Sequence, residues 1–263
     1  MSKQLRIWLF VLLGTLLASS SLLAEGVITM TTSKAVGETI YLGIKANGNV
    51  IIDGVKESAP TNEYNNYTLT SQTITIRGDV TSLVCDYNQL TSLEVSGCTA
   101  LTYLNCRFNQ LTSLDLSGCT SLKTLYCGST QLTRLNVAGC TALTMLDCQG
   151  NSSLAKLNAS GCSNLTTLLY YTSGLSEVNL SGCKLLKSFS CVNGSLTSLD
   201  VSGCTAMTEL RCRSYSLTSL DVSGCTALTT LECDRNRLSS LDVSDCTALT
   251  TLDCGGNYLT SLD

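Results

Sequence analysis

The apolar and polar residues from about residue 80 onward recur in one short pattern. In each copy a leucine is followed three residues later by a second leucine and two residues after that by a cysteine or valine, as in Leu101, Leu104 and Cys106. The core of the pattern alternates apolar and polar positions, which is typical of a short β-strand with one buried face. Each period holds two such halves, so the sequence predicts coils of two short strands joined by two tight turns.

All sixteen cysteines belong to two columns of this repeat. Neighbours within a column are 21 residues apart, except that Tyr170 replaces one cysteine and one extra residue enters near Ser152. Repeats of this period indicate a solenoid whose coils stack on one another. We therefore expect a mostly β protein, a solenoid of about nine 21-residue coils with two short parallel strands per coil. The columns are Cys85, Cys106, Cys127, Cys148, Cys191, Cys212, Cys233 and Cys254, and Cys98, Cys119, Cys140, Cys162, Cys183, Cys204, Cys225 and Cys246.

The spacing of the thiols predicts that most of them are free and buried. Equivalent residues of stacked coils lie about 4.8 Å apart and point the same way, whereas a disulfide needs converging Cβ atoms at about 3.8 Å. A few disulfides, or metal or redox chemistry, are the alternatives. The closest two cysteines are eight residues apart and histidine is absent, which argues against a metal site.

Two further columns predict details of the turns. The residue before the second cysteine column is glycine in every copy except the last, where it is Asp245, and this indicates a positive φ. Asparagine follows the first column by three residues in most coils, and a buried asparagine can satisfy turn backbone groups with its amide. Thr130, Ser173, Gly194 and Tyr215 interrupt the asparagine column, so we expect less regular turns in the middle coils.

The chain begins with a predicted secretory signal peptide at residues 1–24. Lys3 and Arg6 precede an apolar run that ends in small residues at Ala24, and a membrane helix is the alternative. Removal of Lys3 and Arg6 changes the net charge from −4 to −6. With no basic patch to neutralise phosphates, nucleic acid is not an expected partner, and no transmembrane segment is expected after the leader.

Residues 25–79 differ from the repeat. They are β-branched runs separated by turn residues, and they predict a β-rich N-terminal cap, with a separate small β domain as the alternative. The repeat itself is assigned to residues 80–263. Because the chain stops inside a motif at Leu262 and Asp263, we expect a truncated C-terminus, with an anchoring or secretion signal in the missing part.

The motif LxxLxCxxNxLxxLDVSxC resembles the 21-residue repeat of bacterial cell-surface leucine-rich-repeat proteins with a cysteine ladder, the internalin J-like proteins. The resemblance covers residues 80–263. It implies an exported, non-enzymatic protein that mediates protein–protein interaction or adhesion at the bacterial surface, outer membrane included. It implies no cofactor.

A candidate binding surface comes from comparing the copies with one another. The outward positions of the second strand stay close to Ser-x-Asp-x-Ser, whereas those of the first strand vary from aromatic to charged. Such a varied face on a constant scaffold is typical of protein recognition, and cross-strand ion pairs on a merely solvated sheet are the alternative. The predicted partner-binding residues are Tyr103, Arg107, Tyr126, Asp147, Leu169, Tyr171, Arg211, Arg213, Glu232 and Asp234.

Other functions remain open from the sequence. Tyr103, Tyr126 and Tyr171 could stack on sugar rings, which makes a carbohydrate-binding solenoid the main alternative. Glu232, Asp234 and Asp253 could supply paired carboxylates to a glycan-active enzyme, although the repeat has no long loops to build a pocket. Calcium binding along the acidic column and an ice- or mineral-binding face are weaker alternatives.

Overall fold

The computed structural model describes residues 26–57, 64–170, 174–191 and 195–260. Within these ranges the chain forms twenty β-strands and no helix. The predicted signal peptide lies outside the described residues. In the described ranges there is no helix of the length and apolar character that a membrane crossing requires.

Six of the first seven strands are five to eight residues long, and one has three residues. They alternate buried and exposed side chains, because isoleucine, leucine and methionine fill every second position of strands such as β1 and β2. These strands are β1 (Val27–Thr32), β2 (Thr39–Ala46), β3 (Ile51–Asp53), β4 (Tyr64–Thr68), β5 (Thr73–Arg77), β6 (Val80–Val84) and β7 (Leu90–Glu94).

The remaining thirteen strands are three residues long and centre on a leucine, valine or phenylalanine. They are β8 (Tyr103–Asn105), β9 (Thr124–Tyr126), β10 (Arg134–Asn136), β11 (Met145–Asp147), β12 (Lys156–Asn158), β13 (Thr167–Leu169), β14 (Glu177–Asn179), β15 (Ser188–Ser190), β16 (Ser198–Asp200), β17 (Glu209–Arg211), β18 (Ser219–Asp221), β19 (Thr230–Glu232) and β20 (Thr251–Asp253).

Parallel pairing between equivalent strands makes a solenoid, as the repeat predicts. Leu83, Leu104, Leu125, Leu146 and Leu168 are register partners in turn across five coils. Their separation is 21 residues, and 22 at the last step, where the sequence contains its extra residue. The second strands of the coils pair likewise in the order β10-β12-β14-β16-β18. The mostly β solenoid with 21-residue coils is thereby confirmed.

The first strands form two sheets instead of one. A seven-stranded sheet has the order β13-β11-β9-β8-β6-β2-β4, and a four-stranded sheet has the order β15-β17-β19-β20. The interruption follows Tyr170, which replaces the cysteine of other coils. Its ring is only partly buried and stacks on Phe189 with 6.0 Å between ring centroids. A phenol is too large for a thiol-sized slot, so the coil is less regular here, as expected from the sequence.

The N-terminal strands continue both faces of the solenoid. β2 pairs antiparallel with β6, and β1 pairs antiparallel with β7. Their inward side chains, among them Ile40 and Leu42, belong to the same buried cluster as the coil leucines. Burial of this kind protects the first coil from water. The domain division between residues 79 and 80 stays a prediction, because strands on both sides share two sheets and one core.

The cysteines are free, and all but one are buried. Fifteen thiols are buried and Cys254 is partly buried. Several thiols of the second column also donate to a backbone carbonyl of the preceding coil, as Cys119 Sγ does to Val95 O at 3.2 Å and Cys225 Sγ to Val201 O at 3.2 Å. A thiol therefore fills an apolar slot and satisfies a buried carbonyl at once. The prediction of free, buried thiols is confirmed.

The glycine column takes the conformation that the sequence predicts. Its seven glycines have φ between 67° and 98°. A Cβ at Gly118 would also lie 2.9 Å from Gly97 Cα, too close for any other residue. Asp245 is the exception and is not among the positive-φ residues of the described chain. Its Oδ2 instead accepts a hydrogen bond from Gly224 N at 2.9 Å, a role that a backbone carbonyl plays in earlier coils.

The asparagine column connects the turns. Asn109 Oδ1 accepts hydrogen bonds from the backbone N–H groups of Asn88 and Leu90, and its Nδ2 donates to the carbonyls of Cys85 and Cys106. Thr130, which interrupts the column, has a single hydroxyl proton to share between Cys127 O and Asn151 Oδ1. The predicted role of the asparagine amide is confirmed. The interrupting positions 173 and 194 lie outside the described residues.

The buried thiols should make the folded protein less stable as the pH becomes alkaline. Burial raises the pKa of Cys106 from 9.0 to about 12. A thiol whose pKa is higher in the folded than in the unfolded state contributes its full stability at pH values below the unfolded-state pKa. That contribution is lost as the pH rises through the folded-state pKa. We expect the free energy of unfolding in reducing buffer to fall between pH 9 and 12, each buried thiol adding up to about 1.4 kcal/mol per pH unit. Urea titrations from pH 8 to 10 measure it.

The matched control for this pH dependence is Cys106→Val, which removes one titrating group and keeps the slot apolar. Above pH 9 its free energy of unfolding should fall less steeply with pH, by the contribution of one thiol. A stability that stays constant from pH 8 to 10 in the unchanged protein contradicts the proposed role of the thiols.

Asn109→Ala should be strongly destabilising. The change leaves two N–H groups and two carbonyls in the buried turn without their partner, and each such group costs about 1–3 kcal/mol. We expect a loss of at least about 3 kcal/mol in urea unfolding. Asn136→Ala is the control, because that exposed asparagine accepts one hydrogen bond, from Ala138 N. Equal losses in the two variants would show that the buried amide is not special.

Candidate interaction surface

The outward side chains of the seven-stranded sheet lie in three rows across the coils. Alternation places Tyr103, Asn105 and Arg107 in different rows of one coil. The middle row is continuous, because Val84, Asn105, Tyr126, Asp147 and Leu169 are successive register partners. The N-terminal strand β2 extends the rows with Lys45, Gly43 and Tyr41 in turn. Strand β4 adds Tyr64, the partner of Gly43.

Aromatic rings cluster at the N-terminal end of this sheet. Tyr41 and Tyr64 stack with ring centroids 5.8 Å apart, and Tyr103 and Tyr126 contact each other at 5.8 Å and 60°. A Cβ at Gly43 would lie 2.5 Å from the Tyr64 ring, so only glycine lets this ring lie across strand β2. We call Tyr41, Tyr64, Tyr103 and Tyr126 the aromatic face. Tyr41 and Tyr64 are 42% and 56% exposed.

Arg107 is held at the edge of the aromatic face by two contacts. Its guanidinium lies 4.3 Å from the centroid of the Tyr126 ring, and it forms an ion pair with Asp147 two coils further on. The intervening coil has Gly128 in the same row. A Cβ there would lie 2.7 Å from Gln149 O and 3.4 Å from Asp147 Oδ1. A glycine between them therefore leaves room for the long arginine side chain.

Asp147 lies differently from the outward, accessible position that the sequence suggests. Its side chain is only 2% exposed, and its Oδ1 accepts a hydrogen bond from Gln149 N at 3.0 Å. The alternation of side chains along a strand predicts which way Asp147 points, but not which other side chain covers it. In the structure Arg107 covers its carboxylate. The carboxylate thus positions Arg107, and its predicted contact with a partner stays untested.

The C-terminal part of the first-strand surface is a network of ion pairs. Arg211 pairs with Glu209 at 2.6 Å and with Glu232 at 3.4 Å. Arg213 pairs with Asp234 at 2.5 Å and with Asp253 at 3.5 Å. The hydrogen bond that Arg213 Nε donates to Asp234 Oδ1 is the main cause that raises the pKa of Arg213. The cross-strand ion pairs considered in the sequence are therefore present.

The ten predicted residues do not form one site. Tyr103, Arg107, Tyr126 and Asp147 are in contact in the first coils, whereas Arg211, Arg213, Glu232 and Asp234 lie together in the other sheet. Leu169 is partly exposed on the terminal strand β13 of the seven-stranded sheet. Tyr171 lies outside the described residues. The surface therefore divides into an aromatic part and a charged part.

Sequence reasoning misses a second aromatic feature, on the turn beside the asparagine column. Tyr87 and Phe108 stack with ring centroids 4.2 Å apart and an interplanar angle of 13°. Both have positive φ, 55° and 53°, and they are 64% and 45% exposed. Left-handed backbone at a residue other than glycine costs about 1–3 kcal/mol. The sequence contains a sign of this feature, because Tyr87 and Phe108 directly precede Asn88 and Asn109. In other coils the residue at that position is a glycine, Gly150 or Gly256.

The acidic column of the second strand has a structural role. Asp115, Asp221 and Asp242 each accept a hydrogen bond at 2.9 Å from the backbone N–H group two residues further on. These bonds close the turn that leads to the glycine column. The backbone N–H and then the hydroxyl of Ser117 lower the pKa of Asp115, whereas the hydroxyl of Ser244 and then its backbone N–H lower that of Asp242. Among the described residues there is no cluster of three carboxylate or thiol groups arranged for a metal ion. Turn closure explains the column without a ligand.

Comparison with known proteins gives limited information. No protein-family model and no curated protein matches the chain. Among solved structures it is similar to "Functional domain of InlJ from Listeria monocytogenes includes a cysteine ladder". The sequence identity is 29%, the match covers 70% of this chain and 55% of that chain, and the TM-score is 0.30. The chain thus spans about half the length of that domain. A superposition of this quality carries no argument about function.

Arg107→Met should destabilise the fold, because it leaves the Asp147 carboxylate buried without its cation. Removing one partner of a buried pair costs about 3–5 kcal/mol, and the partial exposure of Arg107 puts our expectation just below that range, at about 2–3 kcal/mol. Urea unfolding at pH 7 measures the change. The control is Lys156→Met, whose partner Glu177 is 52% exposed, and there we expect less than about 1 kcal/mol. Equal effects would mean that Asp147 is solvated.

Proposed function

We propose that this chain is an exported, non-enzymatic repeat protein that binds another protein at the bacterial surface through the aromatic face. The observation that carries the proposal is the set of exposed and partly exposed tyrosines, in pairwise ring contact, on a surface whose other half is engaged in its own ion pairs. Tyrosine is enriched at binding hot spots, because its rigid ring buries a large area at small entropic cost. Leucine-rich-repeat membership and surface location belong to the same proposal.

The two parts of the surface differ in what they leave for a partner. In the charged part, Glu232, Asp234 and Asp253 each pair with Arg213. A partner would have to break these pairs and desolvate the charges, which offsets much of any gain. In the aromatic part, the rings of Tyr41 and Tyr64 contact each other and water. Binding there removes apolar area from water without breaking an ion pair.

The scaffold beneath the aromatic face is already ordered before binding. Strands β2, β6, β8 and β9 are hydrogen-bonded to neighbours on both sides, and the inward residues Leu83, Leu104 and Leu125 are fully buried. Little backbone entropy is therefore lost when a partner binds, and preorganisation of this kind increases affinity. Exchanging outward residues does not disturb the core, so one solenoid can serve different partners.

The same geometry argues for binding over catalysis. The carboxylates considered for glycan hydrolysis, Glu232, Asp234 and Asp253, lie on an open strand surface and are engaged by arginine. A glycosidase needs two carboxyl groups that are free to act on the scissile bond, whereas all three of these carboxylates are paired with Arg213. Carbohydrate binding is the second candidate, because exposed tyrosine rings could also stack on sugars.

The proposed function predicts that the double variant Tyr103→Thr, Tyr126→Asn loses its partner. Both new residues already occupy the same rows, as Thr124 and Asn105, so the fold should tolerate them. Partners captured from extracellular-matrix and bacterial-surface extracts are purified, and their affinity is measured for both proteins. We expect at least about tenfold weaker binding, the loss of one or two hot-spot side chains.

The control is Tyr258→Thr, which changes a tyrosine that is 69% exposed and lies far from the aromatic face. It should bind like the unchanged protein. Equal affinity of the double variant and the unchanged protein would remove the aromatic face as the binding site. Selective retention on immobilised glycans, with no purified protein bound, would replace the protein partner by a carbohydrate.

A further inference from the structure

We propose that the partner presents an arginine or lysine side chain, which binds to Asp86 beside Tyr41 and the stacked pair Tyr87 and Phe108. This inference rests on the protein-binding function proposed above and names the chemistry of its partner. It is carried by the position of Asp86, by its lack of an internal cation, and by the strained aromatic pair next to it.

Asp86 lies at the point where the aromatic face meets the turn. Gly43 and Val84 are the last register partners of the antiparallel pair of β2 and β6. Continuing that register by two residues on each strand places Tyr41 level with Asp86, which lies in the turn after β6. Asn88 fixes this arrangement, because its amide bonds to both the N–H and the carbonyl of Tyr41 at 2.9 and 2.6 Å. The aromatic ring of Tyr87 follows Asp86 directly in the chain. Asp86 is partly exposed, with Tyr87 next to it in the chain and Tyr41 level with it on the neighbouring strand.

Asp86 has no cation of its own within the part of the chain that the structure describes. Its neighbour in the next coil, Arg107, is turned toward Asp147 and stacks on Tyr126. The exposed Lys45 lies two rows away, in the row of Tyr103. The charges of Asp86, Arg107 and Asp147 sum to −1, because Arg107 neutralises only Asp147. A cation supplied by the partner would neutralise the remaining charge, on Asp86.

The stacked pair supplies the second half of the site. The fold imposes a left-handed backbone at this turn position, and Ser129, Gly150 and Gly256 show that no aromatic ring is needed there for folding. Tyr87 and Phe108 are nevertheless large, exposed and stacked. Strain of this kind at an exposed residue indicates a function, because the conformation gains nothing for the core.

A carboxylate beside aromatic faces selects a cation. Ring faces attract an ammonium or guanidinium group electrostatically, and the carboxylate adds a charge-assisted hydrogen bond. Anionic ligands are repelled by Asp86. A neutral sugar would use the rings and gain little from the charge. The three classes of ligand therefore respond differently to removal of the charge at Asp86.

The test uses the full chain and two acetylated, amidated peptides, Gly-Arg-Gly-Arg-Gly and the same peptide with citrulline, the uncharged analogue of arginine. Affinity is followed by NMR titration. We expect the arginine peptide to bind at least about fivefold more tightly than the citrulline peptide, as cation–π and ion-pair contacts imply. Asp86→Asn should remove this difference, whereas Asp242→Asn, the same charge change on the opposite strand surface, should preserve it.

Variants of the stacked pair test the second half of the site. The double change Tyr87→Gly, Phe108→Gly introduces the residue that Gly150 already provides in the same column, so the fold should be retained. Binding of the arginine peptide should fall at least about threefold. Tyr215→Gly is the control, since that tyrosine is also exposed and has a φ of 63° but lies in another coil.

Several outcomes would overturn the inference. Equal binding of the arginine and citrulline peptides would show that the site does not require a cation. Equal effects of Asp86→Asn and Asp242→Asn would show that only the net charge of the protein matters, and not the position of Asp86. Neutral oligosaccharides that bind through Tyr87 and not through Asp86 would make the site a sugar platform. If Asp86→Asn binds a purified partner normally while the Tyr103, Tyr126 variant does not, this inference fails and the proposed function stands.

Discussion

The structure depends on one constraint, the hydrogen-bonded register between neighbouring coils. The backbone N–H of Cys85 donates to Asn105 O, that of Cys106 to Tyr126 O and that of Cys127 to Asp147 O, at 2.8 to 2.9 Å. Because this register repeats every 21 residues, each side chain stacks on its equivalent in the next coil. A residue type is then acceptable inside the coil only if copies of it can lie directly above one another.

That requirement explains the interior columns. Leucines and neutral thiols stack without charge repulsion, and burial keeps the thiols neutral by raising their pKa, as for Cys106 and Cys225. Asparagine suits the turn because its amide both donates and accepts, so Asn109 can bond to the turn of its own coil and to the preceding one. Threonine and serine are shorter and make fewer of these bonds, as Thr130 shows.

The interior was predictable from the sequence for the same reason, and the surface was not. Columns of cysteine, glycine and asparagine imply free thiols, positive φ and amide-bonded turns directly. The burial of Asp147 depends on Arg107 reaching across Gly128, a contact between three coils that no local pattern contains. The contribution of Tyr41 and Tyr64 depends on long-range antiparallel pairing, and the stacking of Tyr87 on Phe108 depends on a left-handed turn that propensities assign to glycine.

Departures from the repeat are therefore informative about selection. A coil that differs inside, such as the one containing Tyr170, interrupts the sheet of first strands. A coil that differs outside leaves the core unchanged, so its residues are free to serve a partner. Tyr87 and Phe108 combine both features, since they occupy strained backbone without contributing to the core. Arg107 and Asp147 neutralise each other beside them, which leaves Asp86 as the local charge that folding does not use.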